Sequence, residues 1–209
     1  MLDALVRAIR DRNVILFAGA GISAGLNVPT WREFISHVAS ELGYDQDISA
    51  SPNINYLTLA EYYRIRMGAI GPLRSWMDKR WSVPDERLST SKVHELIVAL
   101  NFPIIYTTNY DRNLESAFRL RGQKFNRIVD VRDIAKVREG ATQIVKLHGD
   151  FDDDRSIVLT ETDYYDRLSF DSPLDVKLRA DALGKSILFV GYSLSDINVR
   201  LLLHKLWRT

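Results

Sequence analysis

Residues 13–25 read NVILFAGAGISAG, an unbroken apolar run that passes directly into small residues with glycines at 19, 21 and 25. An apolar run without polar alternation, bounded by a helical stretch and a glycine cluster, is the pattern of a parallel strand buried on both faces. Upstream, MLDALVRAIRDRN has the spacing of an amphipathic helix interrupted by charges. Downstream, Thr30 and Glu33 stand at capping-box spacing, and Trp31, Phe34, Ile35, Val38 and Leu42 make one apolar stripe that Gly43 closes. A strand feeding a glycine turn and then a helix predicts an α/β fold.

Residues 44–91 interrupt this alternation. They are aromatic-rich and helical in pattern, broken by Pro52, Gly68, Gly71, Pro72 and Pro84, and read as a helical insertion without a strand. The alternation resumes with HELIVAL (94–100) as a helix, IIYTT (104–108) as a strand and DRNLESAFRLRG (111–122) as a helix ending at Gly122. FNRIV (125–129), QIVKLHG (143–149) and SIVLT (156–160) read as further strands, and residues 163–183 as a charged helical stretch. SILFVGYSLSD (186–196) is then a last strand leading into a terminal helix. The expected fold class is α/β, a Rossmann-like doubly wound parallel sheet, formed by one domain over residues 1–209 with a helical insertion at about 44–91. The terminal VRLLLHKLWRT has no Gly or Pro exit, which suits the front part of a longer chain.

Composition narrows the classes. With 28 Lys and Arg against 27 Asp and Glu, no large field of either sign points to nucleic acid or a membrane surface. The absence of cysteine excludes disulfides, thiol catalysis and thiolate zinc sites, and suits a reducing cytosol. The first helix is too short and polar for a signal peptide or membrane span, so a cytoplasmic protein is expected.

In an open parallel sheet, ligands gather at the carboxyl ends of strands, and four such ends carry unusual residues. GAGISAG (19–25) can bring backbone amides close to a phosphate; the alternative is a turn made of glycine only for tight packing. Its GxGxxxG spacing, with no acidic residue about 20 residues on at a second strand tip, disfavours a hydride-transfer dehydrogenase. TTNYD (107–111) offers Asn109 and Asp111, either to a ligand or as helix caps. KLHGD (146–150) sets His148, a potential proton acceptor, beside Gly149. VGYSLSD (190–196) brings Gly191 and Ser193, with Ser195 or Asp196 as a plain helix cap. His37, His94 and His204 fall on helices, where surface or packing roles are expected.

In this order, GAGIS, a Pro and Arg pair, NxD, HG and a late GxS resemble the sirtuin family across nearly the whole chain. The nearest likeness is to the divergent SIR2-like domains of bacterial anti-phage defence proteins, which share TTNYD, LHGD, a T..D.Y pattern (Thr160, Asp163, Tyr164) and GYSLSD. The resemblance implies NAD as substrate, cleaved between nicotinamide and ribose. It further implies that Gly19, Ala20, Gly21 and Ser23 form the phosphate and ribose loop, that Arg32 is its nearby arginine, and that Gly191 and Ser193 are late NAD contacts. Asn109 and His148 match the pair needed for cleavage, and Asp111 the acid beside the nicotinamide carboxamide.

The chain also departs from the deacylating sirtuins. Their zinc module needs four cysteines, so no zinc or other metal is expected, and the helical insertion occupies equivalent sequence space. In PTWR (29–32), Thr30 and Trp31 replace the usual aspartate and phenylalanine, which counts against deacylation. The expected activity is therefore NAD hydrolysis, as an NAD-depleting effector of defence. A non-catalytic NAD or ADP-ribose sensor and an NAD-dependent deacylase are the alternatives. The resemblance also implies a homo-oligomer, and a partner protein or an added C-terminal domain that gates activity.

Overall fold

All five residues of β1 (Val14–Ala18) are buried, and the strand is bonded in parallel on both edges, to β2 (Ile104–Thr107) and to β5 (Ser186–Val190). The computed structural model describes residues 2–44, 55–167, 169, 171–192, 200 and 203–206. With β3 (Phe125–Ile128) and β4 (Thr142–Lys146), the sheet has the order β3-β4-β2-β1-β5, all parallel. This is the predicted Rossmann-like α/β architecture.

Alternation along β1 divides the core. Val14, Leu16 and Ala18 face a layer that includes α6 (Lys92–Ala99) and α7 (Asn113–Leu120), through Ile97, Val98, Leu114, Ala117 and Phe118. α1 (Leu2–Arg10) adds Leu5, Ala8 and Ile9 to the same side. Ile15 and Phe17 face the opposite layer, with Leu174 and Leu178 of α10 (Pro173–Ala182) and Ile134 of α8 (Val131–Ile134).

The connections from β1 to β2 and from β2 to β3 run toward the β3 edge, whereas those from β3 to β4 and from β4 to β5 run back. Right-handed crossovers place these two sets on opposite faces, as the two core layers require. Strands β2 and β4 are therefore neighbours whose following helices leave on opposite sides of the sheet. That divergence opens a crevice at their carboxyl ends.

Above this edge lies a helical roof. α2 (Trp31–Glu41) starts at the predicted capping box, with Thr30 Oγ1 accepting the Glu33 amide and the Glu33 carboxylate accepting the Thr30 amide. Within the insertion, the structure describes α3 (Tyr56–Met67), α4 (Gly71–Trp81) and α5 (Asp85–Ser89). Phe34, Val38, Ala60, Tyr63, Leu73, Met77 and Trp81 pack with Tyr110, Phe151, Ile157 and Leu159, so the roof rests on the loops that follow β2 and β4.

Two sequence expectations are corrected here. SIVLT (156–160) is not a strand: Asp154–Ser156 form a 3-10 turn, and Ile157 and Leu159 bury themselves in the roof cluster rather than the sheet. Their alternation matches a segment half-buried under helices as well as it matches a strand. The helical stretch at 163–183 is two helices, α9 (Glu161–Asp166), begun by a Thr160–Asp163 capping box, and α10, which starts at Pro173. α9 is bound to the insertion: Arg64 bridges Asp163 at 3.1 Å, and Glu61 accepts the Thr162 amide at 3.0 Å.

Candidate active site at the ends of the central strands

Pairing of β2 with β4 ends at Thr107 opposite Lys146, and the Leu147 amide donates to the Thr107 carbonyl at 2.8 Å. Two residues beyond each partner stand Asn109 and His148. They leave adjacent strands in matching register, at the mouth of the crevice, and are only 9% and 7% exposed. The Thr107 hydroxyl accepts the Asn109 amide at 3.0 Å, which turns the chain off the strand. Among the described residues, neither the Asn109 carboxamide nor the His148 ring makes a hydrogen bond, so both retain polar capacity for a ligand.

The His148 ring is held by shape. It lies 5.6 Å edge-on from Tyr164 and 6.4 Å from Tyr110, and the His148 carbonyl accepts the Val158 amide at 3.0 Å. The chain folds back this tightly because Gly149 has φ +88 and no side chain; a Cβ there would lie 2.1 Å from the Ser156 carbonyl oxygen. Burial drives the His148 imidazole down to about 3, with the Arg167 guanidinium adding to the effect. Arg167 is itself fixed, donating to the Leu147 carbonyl and to the buried Asp175 carboxylate.

Asp111 has a structural task as well as a possible chemical one. Its Oδ1 accepts the Asn113 amide at 2.9 Å at the start of α7. Burial pushes its carboxyl up to about 6, against the Lys146 charge and the Asn113 amide.

The glycine loop meets the end of β5. Gly19 donates its amide to the Val190 carbonyl and Gly21 to the Gly191 carbonyl, both at 2.9 Å. A Cβ on Gly19 would stand 2.6 Å from the Gly191 carbonyl oxygen and 2.7 Å from the Tyr192 ring, and one on Gly21 2.7 Å from Gly191 Cα. Packing therefore accounts for glycine at 19, 21 and 191. Ala20 is exposed, and residues Ala20–Leu26 form a 3-10 turn.

Ser23, in that turn, is buried, and its hydroxyl has no hydrogen-bond partner among the described residues. An orphaned hydroxyl fits a loop that receives a polar ligand. Arg32 is exposed on the first turn of α2, and its guanidinium makes no hydrogen bond or ion pair among the described residues. Ser193 lies outside the described residues. The structure thus joins Gly19, Gly21 and Gly191 directly and sets Asn109 and His148 each two residues past the last registered pair of β2 and β4. No bond described ties Arg32 to either group.

Sequence reading missed two residues that connect these parts. Tyr192 crosses β1 against the Phe17 ring at 5.2 Å and binds Thr108, next to Asn109. Lys146 is 1% exposed and donates to the Tyr110 carbonyl at 2.8 Å, the Asp111 carbonyl at 2.5 Å and Asp150 Oδ2 at 2.7 Å. Its one legible signal is a lysine inside the apolar run QIVKLHG. Over the crevice, Trp81 stacks with Tyr110 at 6.2 Å, and the half-exposed Trp31 stacks on Tyr56 at 5.0 Å. Among the described residues, no group of three or more His, Asp or Glu side chains is placed to share a metal, and no helix is long and apolar enough to cross a membrane.

Residues 103–209 match the family model described as the SIR2-like domain. The chain is similar over 97% of its length to the NAD(+) hydrolase ThsA of Enterococcus faecium, at 32% identity. It is similar over 95% to the NAD(+) hydrolase ThsA of Bacillus cereus (strain MSX-D12), at 27%, and over 97% to the defense-associated sirtuin 2 of Bacillus subtilis, at 28%. The chain spans 42%, 41% and 20% of those proteins respectively, so each extends well beyond the matched region.

Proposed function

Because this chain belongs to the SIR2-like domain family, we propose that it hydrolyses NAD at the nicotinamide–ribose bond, releasing nicotinamide and ADP-ribose. The observation that carries the reading is the matched placement of Asn109 and His148, buried and with side chains that make no hydrogen bond among the described residues, on the adjacent ends of β2 and β4.

The chemistry follows from charge. Nicotinamide leaves as a neutral molecule from a cationic ring, so no strong acid is required, and positive charge grows on the ribose carbon. An imidazolium beside that carbon would oppose the reaction. With its proton affinity driven down to about 3, His148 is neutral throughout the physiological range. It can accept a hydrogen bond from a ribose hydroxyl or from the attacking water, and take up the proton as the new C–O bond forms. The Asn109 carboxamide orients that water or the ribose hydroxyls. The glycine loop, Ala20 and Ser23 face the phosphates and ribose, with Arg32 supplying positive charge and Gly191 and Ser193 completing the contact. Asp111, whose carboxyl sits at about 6, meets the nicotinamide carboxamide. The aromatic roof limits the entry of bulk water.

In its cellular setting, the reading extends to an NAD-depleting effector of anti-phage defence in the bacterial cytoplasm. It would act as a homo-oligomer, or under the control of a partner protein or further domain. The likeness to a protein named defense-associated sirtuin 2 supports this.

Nicotinamide release from NAD by purified protein is the test, run beside Asn109→Ala and His148→Ala. Both variants should keep the wild-type unfolding transition and lose at least about 100-fold in turnover. A wild type that binds NAD but releases no nicotinamide at any protein concentration would leave a sensor as the better account.

A further inference from the structure

Lys146 is 1% exposed at the end of β4, two residues before His148 and opposite Thr107, and touches neither proposed catalytic side chain by any hydrogen bond described. An ammonium has three protons, and here all three are used. Two go to consecutive carbonyls, Tyr110 at 2.8 Å and Asp111 at 2.5 Å, in the loop that follows Asn109. The third goes to Asp150 at 2.7 Å, two residues past His148. The buried Glu115 carboxylate lies 3.4 Å away and accepts no hydrogen bond among the described residues, so it balances charge without competing for the protons.

Burying such a charge costs several kcal/mol that its partners must offset, which makes lysine a poor choice for packing alone. What an apolar residue at 146 could not do is bind two backbone carbonyls of one loop and a carboxylate of the other. Asp150 is additionally 3.4 Å from Arg127, whose other partner, Asp152, also binds Arg112, and Arg112 reaches Asp78 on α4 at 2.6 Å. A chain of alternating charge therefore runs from the buried lysine to the roof.

We propose that Lys146 is the positioning residue of the site: its ammonium ties the Asn109–Asp111 loop to the His148–Asp150 loop and so fixes the spacing of Asn109 and His148 on either side of the bound substrate. This rests on the hydrolase reading for the substrate. The clamp between the loops stands on the geometry alone.

The test uses Lys146→Met, and Lys146→Met with Glu115→Gln so that one buried charge of each sign is removed together and Asp150 retains Arg127. Glu115→Gln alone is the control that keeps the clamp. Hydrogen exchange is followed in residues 107–113 and in β1, beside nicotinamide release over a range of NAD concentrations. In the double variant, exchange in 107–113 should quicken by at least about tenfold while β1 is unchanged. Its kcat should fall by about 100-fold with KM within about threefold of wild type, and the unchanged exchange in β1 separates this from a smaller folded fraction. Glu115→Gln should keep both slow exchange and turnover. Unchanged exchange in 107–113 overturns the proposal, as does a quickened loop with kcat within about threefold of wild type. If the wild type releases no nicotinamide, the hydrolase reading falls, and exchange alone then decides the clamp: quickened exchange in 107–113 with β1 unchanged upholds it, and unchanged exchange in 107–113 overturns it.

Discussion

The Tyr192 hydroxyl lies 2.7 Å from Thr108 Oγ1 and accepts the Thr108 amide at 3.1 Å, so the end of β5 is tied across β1 to the end of β2. Tyr192→Phe keeps the ring against Phe17 and deletes that tie. It should lower stability by about 1 kcal/mol, seen as an earlier midpoint in urea, since the Thr108 amide loses its acceptor. An unchanged midpoint would show that water replaces the phenol without cost.

Glycine is needed at 149 for two reasons and at 140 for one. Both have positive φ, +88 and +79, but a Cβ at 149 meets the Ser156 carbonyl at 2.1 Å whereas one at 140 meets nothing within 4 Å. Gly140→Ala should cost about 1 kcal/mol of backbone strain. Gly149→Ala should exceed it by about 2 kcal/mol or fail to fold, because backbone rather than a flexible side chain must move. Thermal unfolding of the two variants side by side makes the comparison, and equal melting temperatures would contradict it.

Ser23 should respond in opposite directions in two assays. Its buried hydroxyl has no partner among the described residues, so Ser23→Ala should leave stability unchanged or raise it by up to about 1 kcal/mol. If that hydroxyl meets NAD, affinity should fall by about tenfold, a difference of roughly 1.4 kcal/mol. Calorimetric titration with NAD, paired with denaturant unfolding, reads both quantities. Loss of stability with wild-type affinity would reverse the assignment.

Acid should weaken the fold sooner than its carboxylates alone would make it. Burial drives His148 down to about 3 and His94 to about 4, with Arg167 and Arg121 respectively adding to the shift, from 6.5 in the unfolded chain. Over the interval below 6.5 the unfolded chain takes up protons that the native rings refuse, so stability falls as pH falls. Asp111 acts the other way: its native carboxyl, raised to about 6 by burial, gains a proton before the unfolded one at 3.8, and stability from it is lost as pH rises through about 6. Two groups oppose one, so the urea midpoint should be lower near pH ~5 than near pH ~7.5, and His148→Gln should shrink the difference. A midpoint that rises toward pH ~5 would mean that these imidazoles charge freely in the native state.

What could be read from the sequence follows from what each residue type must do locally. VILFA is wholly apolar and IIYTT is made of β-branched and aromatic residues, so both announce strands, and the Thr30–Glu33 cap is a contact between near neighbours. Asn109 and His148 stood out as polar groups at strand ends. That β2 and β4 are adjacent, and so bring those residues together, depends on a crossover that periodicity does not encode. SIVLT misled because Ile157 and Leu159 alternate under helices instead of in a sheet. The glycine loop offered two readings, and the contacts with Gly191 favour packing for Gly19 and Gly21 while leaving Ser23 and Ala20 for a ligand. Lys146 was hidden because only Asp150 among its partners is near in sequence, while Glu115 and the carbonyls of Tyr110 and Asp111 lie more than thirty positions upstream.

The pairing of β1 with β5 has a bearing on how the protein comes into being. Val14 is bonded in register with Ser186, and Ala18 with Val190, so the most water-averse segment waits for one whole edge until almost every other described element has been synthesised. During translation, the nascent N-terminal half carries an unpaired, both-sides-apolar ribbon that cannot yet complete its sheet. Such an edge is prone to aggregate until β5 covers it. The Gly19–Gly21 turn likewise lacks the carbonyl that accepts its Gly21 amide until Gly191 emerges, so that end of the sheet is shaped last.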